Sequence, residues 1–181
     1  LNINTLVVVD ELYEAFTDDS ILPISDFNKT PNLIILRSLS KTAGLAGLRI
    51  GFAIGNSNVI DNIKCVTGPY DINSFAVKAA LAALEDQQYT NNYIQEVLEA
   101  KKWLQVKLQG SNLKYHIDGG NYALIWPKNE SLVTEKMLRL KGILVRNMKG
   151  KPLISDSLRV SIGTKKQMRE FWSQFCKIES I

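Results

Sequence analysis

The chain has 181 residues, 45% of them apolar and 22% charged, with a net charge of +4 spread over scattered lysines and arginines. That length can bury about 70% of the surface an unfolded chain exposes, and the lack of a dense basic run argues against a nucleic-acid partner. No apolar stretch reaches the roughly 18 residues of a membrane span and no signal-peptide pattern opens the chain; Cys65 and Cys176 lack metal-ligand or disulfide-framework spacing, so a reducing cytoplasm and no metal are expected.

The chain begins Leu1-Asn2-Ile3-Asn4-Thr5 without an initiator methionine and enters a buried-type strand almost at once. Leu6–Val9 and Leu33–Leu36 are short continuous apolar runs, the pattern of strands buried on both faces in a parallel sheet. Between them, Pro23, Pro31 and polar residues leave room for a short helical crossover. Arg49–Ile54 predicts a third strand, punctuated by Gly51 and Gly55. Ser57–Val66 reads as a helix with Ser57 as its N-cap, and Pro69 and Tyr70 then interrupt the chain.

Asn73–Glu85 and Asn91–Leu108 are the strongest helical patterns. In the second, Tyr93, Val97, Leu98, Leu104 and Leu108 share an apolar face while Glu96, Glu99, Lys101 and Lys102 stay in water; Gly110 is expected to cap its end. The composition then shifts to a smaller α/β unit, which places a boundary near residue 110 and predicts domains over 1–110 and 111–181. Leu113–Ile117 and Tyr122–Trp126 read as paired strands around Gly119-Gly120. Glu130–Lys141 reads as a helix closed by Gly142, and Ile143–Arg146 and Leu158–Ile162 as two further strands. Thr164–Lys177 is a helix opened by a Thr164-x-x-Gln167 capping box.

Two strand ends hold the chemistry. The second run delivers Ser38, Ser40 and Lys41 into a turn containing Gly44 and Gly47, with Arg49 eight residues beyond the lysine; the first ends in Asp10-Glu11-Leu12-Tyr13. An amine beside hydroxyls and a guanidinium, with a carboxylate and a phenol on the other strand end, suits pyridoxal phosphate: the amine for its aldehyde, the hydroxyls and guanidinium for its phosphate, the carboxylate for its pyridine nitrogen. The turn is not a Walker loop, because no Gly-x4-Gly-Lys-Ser/Thr occurs. Asp10 ends an apolar strand, where a carboxylate needs a partner. Glu11 would face the other way and is given no chemistry. Arg159 lies on an apolar strand and calls for an anion; Arg146 offers a second anion contact. His116, the sole histidine, and Trp103, Trp126 and Trp172 read as packing residues, so a Ser/His/Asp hydrolase is disfavoured.

Asp10-Glu11-Leu12-Tyr13, Ser38-x-Ser40-Lys41-x-x-Gly44-Leu45-Ala46-Gly47-Leu48-Arg49-x-Gly51 and Leu158-Arg159-Val160-Ser161-Ile162-Gly163, in this order, resemble the fold-type I aminotransferases, and within them the histidinol-phosphate aminotransferase branch. The resemblance implies an α/β fold: the later part of an aspartate aminotransferase-like large domain with a parallel-rich sheet, followed by a small C-terminal α/β domain. It implies pyridoxal 5'-phosphate as cofactor, Lys41 as its Schiff-base lysine, Asp10 on the pyridine nitrogen, Tyr13 on the ring hydroxyl, and Ser38, Ser40 and Arg49 on the phosphate. Arg159 would take the substrate carboxylate or its equivalent, Arg146 a substrate phosphate or side-chain carboxylate, and Asn121 would narrow the substrate pocket. The implied reaction is transamination between an amino donor such as glutamate and an oxo acceptor such as imidazole acetol phosphate, in a homodimer.

A decarboxylase or lyase of the same scaffold, or a folded fragment without a complete site, are the alternatives. The resemblance covers only the later half of a full-length member, so the chain is expected to be a fragment lacking the phosphate loop at a helix N-terminus and the aromatic that stacks on the ring. Leu12 stands where many relatives carry alanine, and Thr42-Ala43 replaces bulkier residues after the lysine.

Overall fold

The computed structural model describes residues 4–181, so the expectations for Leu1, Asn2 and Ile3 lie outside the described residues. The chain forms two compact units, dividing at Asn92/Tyr93. The division falls inside a long helix, Gln87–Gln109.

In the first unit, β1 (Val7–Asp10), β2 (Leu33–Ser38) and β3 (Gly51–Gly55) form a three-stranded sheet in that order. β1 and β2 are parallel, with Val7 opposite Leu33 and Asp10 opposite Leu36. The connection between them holds two 3-10 turns, Glu14–Phe16 and Leu22–Ile24, in place of a longer helix. β3 returns antiparallel, with Ile34 opposite Gly55 and Ser38 opposite Gly51. The chain from Leu39 to Ile50 holds only the 3-10 turn Ala46–Leu48, too little for the crossover that a parallel third strand requires. Gly55 fits because the Leu33 carbonyl approaches so closely that a Cβ would lie 3.0 Å from it.

Leu33, Ile34 and Ile35 are buried, as their apolar run predicts, whereas β1 alternates and leaves Val8 half exposed. Residues α1 (Ser57–Lys64) and α2 (Ser74–Glu85) follow. The α1 cap is Asn56 rather than Ser57: Asn56 has extended backbone and its side chain accepts from the Asn58 amide at 3.0 Å. Ala76 and Ala80 of α2 pack on Ile50, with Leu39 and Leu48 against them. The opposite side of α2 shows Phe75, Val77, Leu81 and Leu84 to solvent.

The helix α3 (Gln87–Gln109) joins the units. Gly110 does not supply a left-handed cap: Ser111 Oγ donates to the Leu108 carbonyl at 2.7 Å, and Asn112 takes the left-handed conformation at φ 57°.

The second unit holds β4 (Lys114–His116), β5 (Tyr122–Trp126), α4 (Ser131–Leu140), β6 (Arg146–Asn147), β7 (Leu158–Ser161) and α5 (Lys165–Glu179). Its sheet runs β4-β5-β7-β6 with every neighbouring pair antiparallel. β6 is only two residues long, at the end of the run expected as a strand; Ile143 instead donates its amide to Leu138 behind Gly142 at φ 77°. Ala123 and Ile125 pair with Val160 and Leu158, and all four are buried on one face. Val97, Leu104 and Leu108 of α3, Leu138 of α4, and Met168, Phe171 and Phe175 of α5 complete this core. The Thr164 capping box forms in full, the hydroxyl accepting from the Gln167 amide and the Gln167 side chain accepting from the Thr164 amide. At the other end of α5, buried Glu179 accepts from the amides of Lys128 and Asn129 at 2.7 and 3.0 Å and from Thr134 Oγ1 at 2.6 Å. Among the described residues no helix is long and apolar enough to cross a membrane.

Candidate functional site

The parallel pairing of β1 with β2 brings their carboxyl ends to the same sheet edge, and antiparallel β3 begins at that edge. Ligands of open α/β sheets bind in this position, outside the strand ends. Three segments far apart in sequence therefore meet there: Asp10–Tyr13, Ser38–Lys41 and the residues leading into Gly51.

Ser38, Ser40, Lys41 and Arg49 line one cleft of about 580 Å³, together with Leu12, Phe52 and Ala53. Ser38 Oγ lies 2.8 Å from Ser40 Oγ, accepts from the Ser40 amide at 3.1 Å and lies 3.2 Å from the Ile50 carbonyl oxygen. The two hydroxyls are thus one paired donor set tied to the start of β3. Arg49 reaches the cleft by adopting the left-handed conformation, φ 54° and ψ 41°, which few non-glycine residues take; its Nη1 donates to the Ala46 carbonyl at 3.3 Å. Gly44 supplies the other positive φ of the turn, 68°. Lys41 is half-buried, with Nζ 5.4 Å from the centre of the Tyr13 ring.

Asp10 departs from its expected environment. It is exposed rather than enclosed at the end of a buried strand, because β1 is covered on one face only, and its Oδ1 accepts from the Leu12 amide at 3.0 Å. Neither Asp10 nor the Tyr13 ring forms part of the cleft wall that holds the serines and Arg49.

Sequence reasoning missed the neighbour of Asp10. Glu11 is buried, and its Oε2 accepts from Arg37 Nε and Nη2 at 3.1 and 2.9 Å and from Ser20 Oγ at 2.9 Å. Its Oε1 accepts from the Ile21 amide at 2.7 Å. Burial pushes the Glu11 carboxyl up, but the Ile21 amide, the Arg37 guanidinium and the Ser20 hydroxyl outweigh it and hold the group below its ordinary value. The available signal was Arg37 itself, a charge on the end of an apolar strand.

In the second unit Arg159 stands directly opposite Arg146 on the neighbouring strand. The Arg159 guanidinium lies 4.1 Å from the centre of the Tyr122 ring, a stacking that holds its fork in one orientation. Cross-strand partners share a face, so both arginines lie on the face opposite the one that buries Ala123, Ile125, Leu158 and Val160. Like charges placed opposite one another destabilise a sheet unless an anion lies between them. Exposed His116 is on this same face, opposite Leu124 and in the same cross-strand row as Arg159. Asn121 is not gathered with the arginines: it lines a separate cleft of about 450 Å³ with Tyr93, Ser161 and Gln167, and its carbonyl accepts from the Ile162 amide at 2.8 Å. Among the described residues no group of His, Cys, Asp and Glu converges to hold a metal ion.

Comparison with known proteins extends these observations. The family model for aminotransferase class I and II matches residues 2–175. Histidinol-phosphate aminotransferase of Ruminiclostridium cellulolyticum is 34% identical over 164 residues, 90% of this chain and 45% of that protein. The enzyme of the same name from Campylobacter jejuni serotype O:2 is 31% identical over 185 residues, 98% of this chain and 50% of its own length. The chain therefore spans about half the length of these curated relatives. Among solved structures, histidinol-phosphate aminotransferase from Sinorhizobium meliloti in complex with pyridoxal-5'-phosphate superimposes with a TM-score of 0.84 at 23% identity, covering 99% of this chain and 50% of that one. L-threonine-O-3-phosphate decarboxylase from Porphyromonas gingivalis gives 0.79 at 21% identity, covering 98% and 56%. At these identities the superpositions establish a shared fold.

Proposed function

The chain belongs to the class I and II aminotransferase family, and from that premise we propose that it carries the lysine-bearing part of a pyridoxal-phosphate site and an anion-binding arginine pair for an amino-acid or amino-alcohol phosphate substrate. The observation that carries this reading is the meeting of Ser38, Ser40, Lys41 and Arg49 in one cleft. Two hydroxyl donors, a guanidinium fork and an amine match the phosphate and the aldehyde of that cofactor, so the residues fit it.

When bound, pyridoxal phosphate supplies an aldehyde that takes up an amine and a protonated ring that accepts an electron pair from the substrate Cα. Ser38 and Ser40 would donate to the phosphate and Arg49 would add a charged fork. Lys41 would be the amine that holds the aldehyde, and its free amine could hold or move a proton within the cleft. As the sequence resemblance implies, Asp10 would keep the pyridine nitrogen protonated and Tyr13 would donate to the ring hydroxyl. Arg159, oriented by Tyr122, would bind a carboxylate or its equivalent and Arg146 a second anionic group; Asn121 lines a separate cleft of the same unit.

We assign histidinol phosphate as substrate, supported by relatives more than 30% identical that are named histidinol-phosphate aminotransferase, and glutamate as amino donor, as the sequence resemblance implies. We further assign a homodimer and a cytoplasmic location, as the sequence resemblance and the cysteine usage lead us to expect. The test is to supply this polypeptide with pyridoxal phosphate, glutamate and imidazole acetol phosphate and to measure 2-oxoglutarate and histidinol phosphate. Both products in equal amounts support the reading; carbon dioxide release from an amino-acid phosphate without amino transfer would favour the decarboxylase alternative, and no product with either defeats catalysis by this polypeptide.

A further inference from the structure

The best-connected charged group of the first unit lies beside the proposed site and has no part in the chemistry assigned above. Glu11 is two residues before Tyr13, and Arg37 is four residues before Lys41. Their side chains join across 26 positions of sequence, with Arg37 Nε and Nη2 both on Glu11 Oε2 at 3.1 and 2.9 Å. Ser20 Oγ closes a triangle, donating to Glu11 Oε2 at 2.9 Å and accepting from Arg37 Nη2 at 2.8 Å. Arg37 Nη1 also meets Glu14 Oε1 at 3.3 Å, and the Ile21 amide holds Glu11 Oε1. The Glu11 side chain is 4% exposed and that of Arg37 28%.

We propose that Glu11 and Arg37 are positioning residues that lock the Asp10–Tyr13 segment onto the Ser38–Lys41 segment and so fix Lys41 over the Tyr13 ring. The backbone alone makes this junction weakly. Beyond the last paired residues of β1 and β2, the Glu11 amide bonds the Leu36 carbonyl; β1 then ends, while β2 runs on to Ser38 paired only with β3. Arg37 is also a lining residue of the cleft that holds Lys41. Two donors of one rigid guanidinium converging on a single oxygen, Glu11 Oε2, fix direction as well as distance. The geometric claim stands on these contacts; its consequence for catalysis rests on the proposed role of Lys41.

The test compares the wild-type chain with Glu11→Gln, Arg37→Gln and the double variant, with Ser20→Ala as a milder change, and needs no cofactor. Hydrogen exchange is followed at the Ser40 and Ala43 amides, which bond Ser38 Oγ and the Leu39 carbonyl, with Ile34 and Ile35 as the buried reference. The Lys41 side chain is followed by the ¹³C shift of its dimethylated ammonium, assigned with Lys41→Arg and calibrated with Tyr13→Leu. Glu11→Gln is expected to speed exchange at Ser40 and Ala43 at least tenfold with Ile34 and Ile35 unchanged, and to move the Lys41 signal to its Tyr13→Leu position. Opening confined to residues 11–21, with Ser40, Ala43 and Lys41 unmoved, would overturn the proposal and leave Glu11 an anchor of its own loop. If Glu11→Gln fails to fold, the double variant, which leaves no buried charge without a partner, carries the same comparison. Because neither readout involves pyridoxal phosphate, a failure of the cofactor reading is seen separately.

Discussion

Arg49 is a residue whose backbone and side chain make opposite predictions. Its left-handed conformation, φ 54°, costs a residue with a Cβ about 1–2 kcal/mol, which glycine avoids at some cost in chain entropy. Its guanidinium bonds the Ala46 carbonyl, a neutral-acceptor contact worth about 0.5–1 kcal/mol net. Arg49→Ala keeps the strain and loses the bond, so it should lower the stability of the first unit by about 0.5–1 kcal/mol. Arg49→Gly loses the same bond but relieves the strain, and should be about 1 kcal/mol more stable than Arg49→Ala, a roughly fivefold difference in the folding constant. Phosphate recognition should not distinguish the two. Each removes a charge-assisted contact of about 1.5–3 kcal/mol, which weakens binding by about 10- to 150-fold. Urea unfolding gives the first comparison and pyridoxal phosphate titration the second. Equal stabilities for the glycine and alanine variants, or wild-type phosphate affinity in either, would refute the reasoning.

Other consequences follow from the same contacts. Because the folded Glu11 carboxyl titrates below its unfolded value, the unfolded chain binds more protons in mild acid, so this group's stabilisation is present above about pH 4.3 and is lost as pH falls through the folded value. Urea unfolding from pH 6 down to pH 3 should fall more steeply for wild type than for Glu11→Gln, and parallel slopes would contradict it. Glu179→Ala leaves the Lys128 and Asn129 amides and the Thr134 hydroxyl without their shared acceptor, and should cost the second unit about 2–4 kcal/mol in chemical denaturation; a loss below about 0.5 kcal/mol would show that water replaces the carboxylate. Arg159→Lys keeps charge but not the planar stack on Tyr122, so inorganic phosphate binding should weaken by about tenfold, about 1.4 kcal/mol. Arg146→Ala should stabilise the ligand-free sheet slightly by removing the like charge opposite Arg159, which thermal unfolding with and without phosphate would detect.

What was legible in the sequence was local. The Thr164-x-x-Gln167 box needs only four consecutive residues, and it forms with both of its hydrogen bonds. The apolar run Leu33–Leu36 forms a strand buried at Leu33, Ile34 and Ile35, since it is the central strand with β1 and β3 on either side. The left-handed residue at Asn112, in place of Gly110, depends on how α3 ends against Ser111, which composition does not reveal. β1 carries the same kind of apolar run as β2, yet Val8 is half exposed, since the run reports hydrophobicity and not what covers it. The same one-sided covering leaves Asp10 in solvent. Glu11 was invisible for the opposite reason: its burial is supported by Arg37, 26 residues away, and by Ser20 and Ile21 on an intervening loop. Serines, lysine and arginine at strand ends could be gathered from a motif, but the clamp behind them required the parallel register.

The central claim is that Lys41 is the covalent anchor of pyridoxal phosphate, and borohydride reduction tests it most directly. The purified chain is incubated with pyridoxal phosphate, reduced, digested and mapped by mass spectrometry beside Lys41→Ala. The account predicts one phosphopyridoxyl group per chain, on Lys41, with no comparable label in the variant. No label on the wild-type chain, or equal labelling of other lysines in both proteins, would contradict it.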